Sequence, residues 1–223
     1  MRTQQRPRFA AVVFDADSTL ASIEGVDWLG ARRGDNLGRI VENLTTRAMA
    51  GELPLDHVYT LRLNAIRPTR AEIALLSDAY IAAIEPGARE LITQLQRAHV
   101  KLVIVSGGLR AALLPLAQKL GLAESDVHAV ELMFDDNGNY VSLANGPLLA
   151  QQLGKPVVVR GLCLPHPSVM IGDGSTDAAV RGDTDEFIAY TRVVRRERVV
   201  AAADAEARNF DELSALLFES VPT

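Results

Sequence analysis

The chain has 223 residues, 48% of them hydrophobic, and a net charge of −5 with both signs spread along its length. That length supports one sizeable core or two small ones, and the absence of a basic stripe excludes nucleic acid as the expected partner. The lone cysteine, Cys163, forms no internal disulfide and supports no zinc site, so it reads as a small buried apolar residue.

The polar, basic start from Met1 to Arg8 lacks the apolar region of a signal peptide, and no apolar run is long enough to span a bilayer. A soluble, cytoplasmic protein with no membrane partner is expected. The first apolar run, Phe9 to Phe14, contains β-branched residues and reads as a buried strand. It ends in Asp15-Ala16-Asp17-Ser18-Thr19. Residues i and i+2 of an extended segment point the same way, so both carboxylates project together where the strand stops. An Asx-rich turn would account for this stretch if it stood alone.

Residues 22–84 show helical periodicity broken near Gly34, at Gly51-Glu52-Leu53-Pro54 and at Arg67-Pro68-Thr69, which predicts four helices. Thr69 and Glu72 have the spacing of a capping box for the last of them. Pro86-Gly87 opens a helix through about Ala98, and the apolar run Leu102 to Val105 reads as the second strand. A helix from about Arg110 to Leu120 ends at Gly121, a C-cap signal, before a strand over Val127 to Val130. Asp136-Asn137-Gly138-Asn139 predicts a hairpin turn. Then follow a helix from about Pro156, a strand over Val169 to Ile171, a helix from Ser175, a strand over Phe187 to Tyr190, and a helix near Asp211 to Phe218.

Alternating strands and helices predict an α/β fold built on a doubly wound parallel sheet, with the helical stretch inserted after the first strand as a small cap. On those boundaries, residues 1–20 and 85–223 form the core domain and residues 21–84 the all-helical cap domain. Parallel strands place their C-terminal ends on one edge, where such sheets bind ligands.

The chemistry collects on that edge. The second strand runs through Val105 into Ser106-Gly107-Gly108, a hydroxyl and two glycines leading into a helix N-terminus, which together favour an anion. A later strand ends Ile171-Gly172-Asp173-Gly174-Ser175-Thr176-Asp177. Four gathered carboxylates repel one another unless a cation compensates them, and clustered hard oxygens without Cys or His suit Mg2+. Of the three lysines, Lys101 starts the second strand, roughly 16 Å from the active edge, and Lys119 lies late in an amphipathic helix. Lys155 opens the helix before Asp173 and is the one placed to reach the site.

These motifs resemble the haloacid dehalogenase superfamily, whose pattern is DxDx[TV], a Ser or Thr after the second strand, a Lys, and GDxxxD. Within it the likeness is greatest to the phosphoserine phosphatases. It also rests on Glu24-Gly25-Val26-Asp27, Ala48-Met49-Ala50-Gly51-Glu52-Leu53 and Glu85-Pro86-Gly87, and extends from about Phe9 to Leu217. Two departures are the Leu109-Arg110 pair, where the family usually carries an aromatic and an acid, and a short interval between Lys155 and Asp173.

The resemblance implies a Mg2+-dependent phosphomonoester hydrolase acting on a small molecule, as a monomer or homodimer, with O-phosphoserine the expected substrate. Asp15 is then the nucleophile and Asp17 the general acid and base. Mg2+ falls to the Asp15 carboxylate, the Asp17 backbone carbonyl and Asp173, with Asp177 as ligand or support. Ser106, Gly107 and Lys155 hold phosphoryl oxygens. In the cap, Glu24 takes the substrate amine, Arg62 its carboxylate, and Met49 lines the pocket. Another amine-bearing ester such as phosphohomoserine keeps the same chemistry. Haloacid dehalogenation needs neither Asp17 nor the Asp173/Asp177 pair, and a non-catalytic descendant would show a damaged motif. None is damaged. His57, His99, His128 and His166 lie away from the motifs and receive no role.

Overall fold

The computed structural model describes residues 4–50, 52–144 and 148–221. Gly51, part of one expected break and of one quoted motif, and Met1 to Thr3 of the polar start lie outside them.

Strand β1 (Gln4–Pro7) precedes β2 (Ala11–Phe14), and four helices follow: α1 (Gly25–Ala31), α2 (Asp35–Met49), α3 (Leu55–Ile66) and α4 (Arg70–Ala82). Next come α5 (Ala88–Arg97), β3 (Lys101–Leu109), α6 (Arg110–Leu120) and β4 (Val127–Val130). A hairpin of β5 (Leu132–Phe134) and β6 (Tyr140–Leu143) leads on to α7 (Gly154–Gly161), β7 (Ser168–Gly172), α8 (Ser175–Ala178) and β8 (Glu186–Tyr190). The chain finishes with α9 (Glu197–Ala202), β9 (Ala205–Ala207), α10 (Phe210–Leu217) and β10 (Phe218–Val221).

Six strands form one parallel sheet in the order β4-β3-β2-β7-β8-β9. The chain winds outward from β2 through β3 to β4, then returns to place β7 on the other side of β2. The winding direction therefore reverses beside β2, and a crevice opens at the carboxyl ends of β2 and β7. Every residue of β2 and β7 is buried, as expected for strands covered on both faces. Phe14, Phe187, Tyr190 and Phe210 are among the largest fully buried side chains, each contributing on the order of 2 kcal/mol by leaving water. Phe9 is buried too, but it precedes the strand ladder, which starts at Ala11.

The four helices lie where the sequence breaks predict them. Gly34, with φ +96°, precedes α2, and Arg67 ends α3 in the left-handed region. The capping box at Thr69 is formed: the Glu72 N–H donates to Thr69 Oγ1 at 3.2 Å, and the Thr69 N–H donates to Glu72 Oε2 at 2.8 Å. Arg33, in the turn just past α1, adds a fork onto both Glu72 oxygens, at 2.5 and 2.8 Å. Glu72 thus fixes the start of α4 and ties it to the end of α1. Glu72→Ala is expected to cost about 2 kcal/mol, combining the lost cap with the lost bidentate pair.

Arg33 holds the Glu72 carboxyl down at about 2, from an ordinary 4.5. A depressed folded value stabilises above the unfolded value and loses that stabilisation as pH falls through the folded one. The gap between parent and variant in urea denaturation should therefore be full at neutral pH and shrink between about pH 4.5 and about pH 2. A pH-independent gap would remove the charge pair from the account.

Some elements are longer, shorter or additional to those read from sequence. Strand β3 continues through Ser106 to Leu109, although its pairing with β4 slips register between Val105 and Leu109. Helix α8 is a single turn. The ribbon of β1 with β10, helix α9 and strand β9 carry no periodic signal. Strand β1 is polar, β9 is three residues long, and Phe218 leaves the last helix to pair with Pro7. The hairpin turn is as expected, with Gly138 at φ +79° and Asp135 accepting the N–H groups of Asn137 and Asn139. No described helix is long and apolar enough to cross a membrane.

Candidate active site

Asp15 stands immediately after β2, Ser106 to Gly108 lie in the register slip of β3, and Asp173 follows β7. Lys155 sits in the first turn of α7, and Asp177 lies in the single turn of α8. The Lys155 ammonium, buried and 3% exposed, is 2.8 Å from Asp15 Oδ2 and 2.5 Å from Asp177 Oδ1. Oxygens of Asp15, Asp173 and Asp177 all lie within 4.8 Å of one another. Asp177 is locked in place by accepting the Gly174 N–H at 2.9 Å. It can approach only because residue 172 is glycine: a Cβ there would stand 2.2 Å from the Asp177 carboxyl carbon.

The Asp17 carboxylate is not in that triad. Its Oδ1 accepts a hydrogen bond from the Tyr80 hydroxyl and one from the Gly25 N–H at 3.3 Å. Its backbone carbonyl is the group that the resemblance assigns to the metal. Burial, and then the neighbouring Asp15 charge, push the Asp17 carboxyl up to about 7. Burial likewise raises Asp173 to about 7 and Asp177 to about 8, the latter with Asp15 adding repulsion. Lys155 responds in the opposite sense: burial disfavours its charge, but Asp15 and Asp177 outweigh burial and hold its pKa above the ordinary value.

This donor set meets the requirements of a hard divalent cation. Three buried carboxylates converge and no thiolate or imidazole is among them; burial first, and then the neighbouring acids, raise the pKa values of Asp173 and Asp177, a cost that a bound cation would relieve.

The opposite wall is helical. Ser18 Oγ donates to Glu24 Oε1 at 2.7 Å, while burial and then Asp17 raise the Glu24 carboxyl to about 8. Arg62 is 3% exposed, 3.7 Å from Asp27 Oδ1, and hydrogen-bonded to Thr45 Oγ1, which in turn donates to Asp27. Its Nε is buried and has no partner among the described residues. Met49, Tyr59, Glu24, Arg62, Asp15 and Lys155 line one cavity, and the free space between them is about 30 Å³, room for a water molecule or two. Ser106 Oγ accepts the Gly108 N–H at 3.0 Å, which leaves its own proton to donate elsewhere.

Arg196 was not foreseen from sequence. It precedes α9, and its guanidinium donates to both the carboxylate and the backbone carbonyl of Asp173. Tyr80, Tyr59 and Thr45 also join the site without a sequence signal, since each sits at an ordinary helical position, whereas Thr176, which lines the cavity, belongs to the Gly172 to Asp177 stretch already singled out. Leu109-Arg110 has a structural use: Leu109 is core, and Arg110 donates to the Val127 carbonyl at 3.2 Å and pairs with Glu124.

The family model of haloacid dehalogenase-like hydrolases matches residues 12–180, and the chain belongs to that family. The chain is 35% identical to the phosphoserine phosphatase of Mus musculus, over 91% of each chain. It is 32% identical to the chloroplastic phosphoserine phosphatase of Arabidopsis thaliana, over 91% of this chain and 70% of that one. A solved phosphoserine phosphohydrolase-like protein from Francisella tularensis subsp. tularensis SCHU S4 superposes with a TM-score of 0.86 at 28% identity, covering 93% of this chain and 99% of that one.

Proposed function

We propose that the chain hydrolyses O-phosphoserine to serine and phosphate through a phosphoryl group carried on Asp15. The observation that carries this reading is the joining of two half-sites in one narrow cavity. Asp15 is held against Lys155 and two further carboxylates, and across from it a buried acid and a buried arginine face the same small space. The phosphoserine phosphatases of mouse and Arabidopsis, similar over nine-tenths of the chain, point to the same substrate.

Asp15 attacks phosphorus, and the bond to the serine oxygen breaks as the aspartyl-phosphate forms. Asp17, whose carboxyl burial pushes up to about 7, gives its proton to that departing oxygen. Water then attacks the aspartyl-phosphate, Asp17 takes the water's proton, and phosphate leaves with Asp15 regenerated. Ser106, the Gly107 amide and Lys155 stabilise charge on the transferring oxygens. Mg2+, held by Asp15, Asp173 and the Asp17 carbonyl with Asp177 in support, would neutralise part of that charge when bound.

Glu24 receives the substrate ammonium. Arg62, oriented by Thr45 and Asp27 and with Nε unspent, receives the carboxylate. Met49 closes the apolar side. On this reading residues 21–84 are the substrate-selecting cap and residues 1–20 and 85–223 the catalytic core. Cys163 is exposed and not buried as expected, because it follows the end of α7 at the surface, and a cytoplasmic setting fits its free thiol, which a reducing compartment preserves.

A panel of phosphorylated amino acids and p-nitrophenyl phosphate, assayed with and without Mg2+, tests the reading. Arg62→Ala should reduce kcat/KM for phosphoserine by about a hundredfold, the loss of a charge-assisted pair. The aryl ester, which has no carboxylate, should lose only a few-fold. Equal losses on both esters would show that Arg62 does not read the substrate.

A further inference from the structure

We propose that Tyr59 is a positioning residue for phosphoryl transfer, a cap-borne clamp that sets the phosphate loop when α3 lies against the core. Its hydroxyl donates to the Gly107 carbonyl at 2.6 Å. At the other end of the same peptide unit, the Gly108 N–H donates to Ser106 Oγ at 3.0 Å. A peptide unit is planar, so holding its oxygen and its N–H fixes the orientation of the whole plane.

This stretch needs such a hold. Two consecutive glycines have the widest backbone freedom of any pair. The neighbouring strand does not restrain them, because the pairing of β3 with β4 slips between Val105 and Leu109. Gly107 borders the cavity, and its own N–H is one of the groups assigned to the phosphoryl oxygens. With the following peptide plane loose, that N–H has no fixed aim. Tyr59 supplies the missing restraint from α3, so the cradle is complete only with the helix in place.

The same side chain reaches toward the other half of the cavity. The Arg62 guanidinium lies 5.4 Å from the Tyr59 ring centroid, close enough for a cation–π contact. Tyr59 is 2% exposed, so both contacts are sheltered from water. The ring therefore serves the carboxylate-binding side and the hydroxyl serves the phosphate-binding side. This division of labour depends on the phosphatase reading above and allows the two duties to be separated by substitution.

Tyr59→Phe keeps the ring and deletes the hydroxyl. For phosphoserine, kcat should fall about tenfold to a hundredfold, the scale of a small misplacement of a reacting group, with KM changed by less than about twofold. The same fractional loss should appear with p-nitrophenyl phosphate, and orthovanadate should inhibit about tenfold more weakly. The melting temperature should stay within about two degrees of the parent. Tyr59→Leu should add a rise in KM for phosphoserine, absent for the aryl ester, because Arg62 then loses its ring.

A Tyr59→Phe protein with parental kcat and parental vanadate inhibition would overturn the proposal. So would an effect confined to KM for phosphoserine, which would assign Tyr59 to Arg62 alone, or a kcat loss matched by a large drop in melting temperature. A parent protein inactive on both esters would instead overturn the phosphatase reading, and the clamp with it.

Discussion

Asp15→Asn is expected to lower kcat at least a thousandfold while leaving the melting temperature unchanged or slightly higher. The activity loss follows from chemistry: an amide oxygen is a poor nucleophile toward phosphorus, and shape is nearly conserved, so little else changes. The stability expectation follows from the surroundings. Burial is the main cause of the raised pKa values of Asp17, Asp173 and Asp177, and the Asp15 charge adds to each, so removing it relieves repulsion in a buried cluster. Lys155 is not orphaned, because Asp177 remains 2.5 Å away. Phosphate release and calorimetry on the same preparation check both halves. Turnover at a tenth of the parental rate would displace Asp15 from the nucleophile's role.

Lys155→Met should do the reverse, damaging stability as well as rate. The ammonium is the cation between Asp15 and Asp177, and its loss leaves two buried carboxylates facing each other. Breaking a buried pair from one side costs about 3–5 kcal/mol. Removing a charge from the phosphoryl site should lower kcat by a further hundredfold to thousandfold.

The stability deficit should depend on pH, with a sign fixed by the cluster. Burial and Asp15 already hold the Asp177 carboxyl at about 8, and without Lys155 it has less reason to ionise. An acid whose folded value is raised keeps a proton that the unfolded chain releases, so stability falls as pH climbs from the unfolded toward the folded value. Thermal denaturation without added divalent cation should show a deficit smaller at about pH 5.5 than at about pH 8.5. A deficit that is flat across that range would mean that packing, not charge, is what Lys155 supplies.

What the sequence discloses about this site tracks how local each signal is. Asp15 is legible because a buried parallel strand is a continuous apolar run, and the first polar residues after it must lie at its mouth. Lys155 emerges because only three lysines exist: Lys101 is too far from the edge and indeed pairs with Asp126 at 2.5 Å, and Lys119 sits late in an amphipathic helix where a solvated face is the default. The same elimination cannot find Arg196, since most of the 23 Lys and Arg residues are arginines and four of them crowd residues 192–198. Its contact with Asp173 spans 23 residues and depends on how β8 and α9 are laid beside β7.

Tyr59 and Tyr80 illustrate another limit. A buried aromatic on a helix serves core packing by default, and only the three-dimensional course of α3 and α4 brings their hydroxyls to Gly107 and Asp17. The capping box at Thr69 and the Asn-Gly hairpin turn are readable because every participant lies within four residues. The ribbon of β1 with β10 joins segments more than two hundred residues apart and leaves no trace in either segment alone.

The narrowness of the cavity bears on how molecules get in and out. A space of about 30 Å³ is far smaller than any phosphorylated amino acid, so exchange demands that one wall swing away. Helix α4 is a poor candidate for that travel, because it lies along α6 and its first turn is pinned to the Gly138 carbonyl by the Arg70 N–H at 2.8 Å. The lighter seam runs under α2 and α3, crossed by Tyr59 to Gly107, by the Gln152 N–H to Asp56 at 2.7 Å, and by Ser175 to the Ala48 carbonyl at 3.2 Å. The wall with the fewest ties is thus α2 with α3, while α1, forked to Glu72 by Arg33, stays with α4 as the frame.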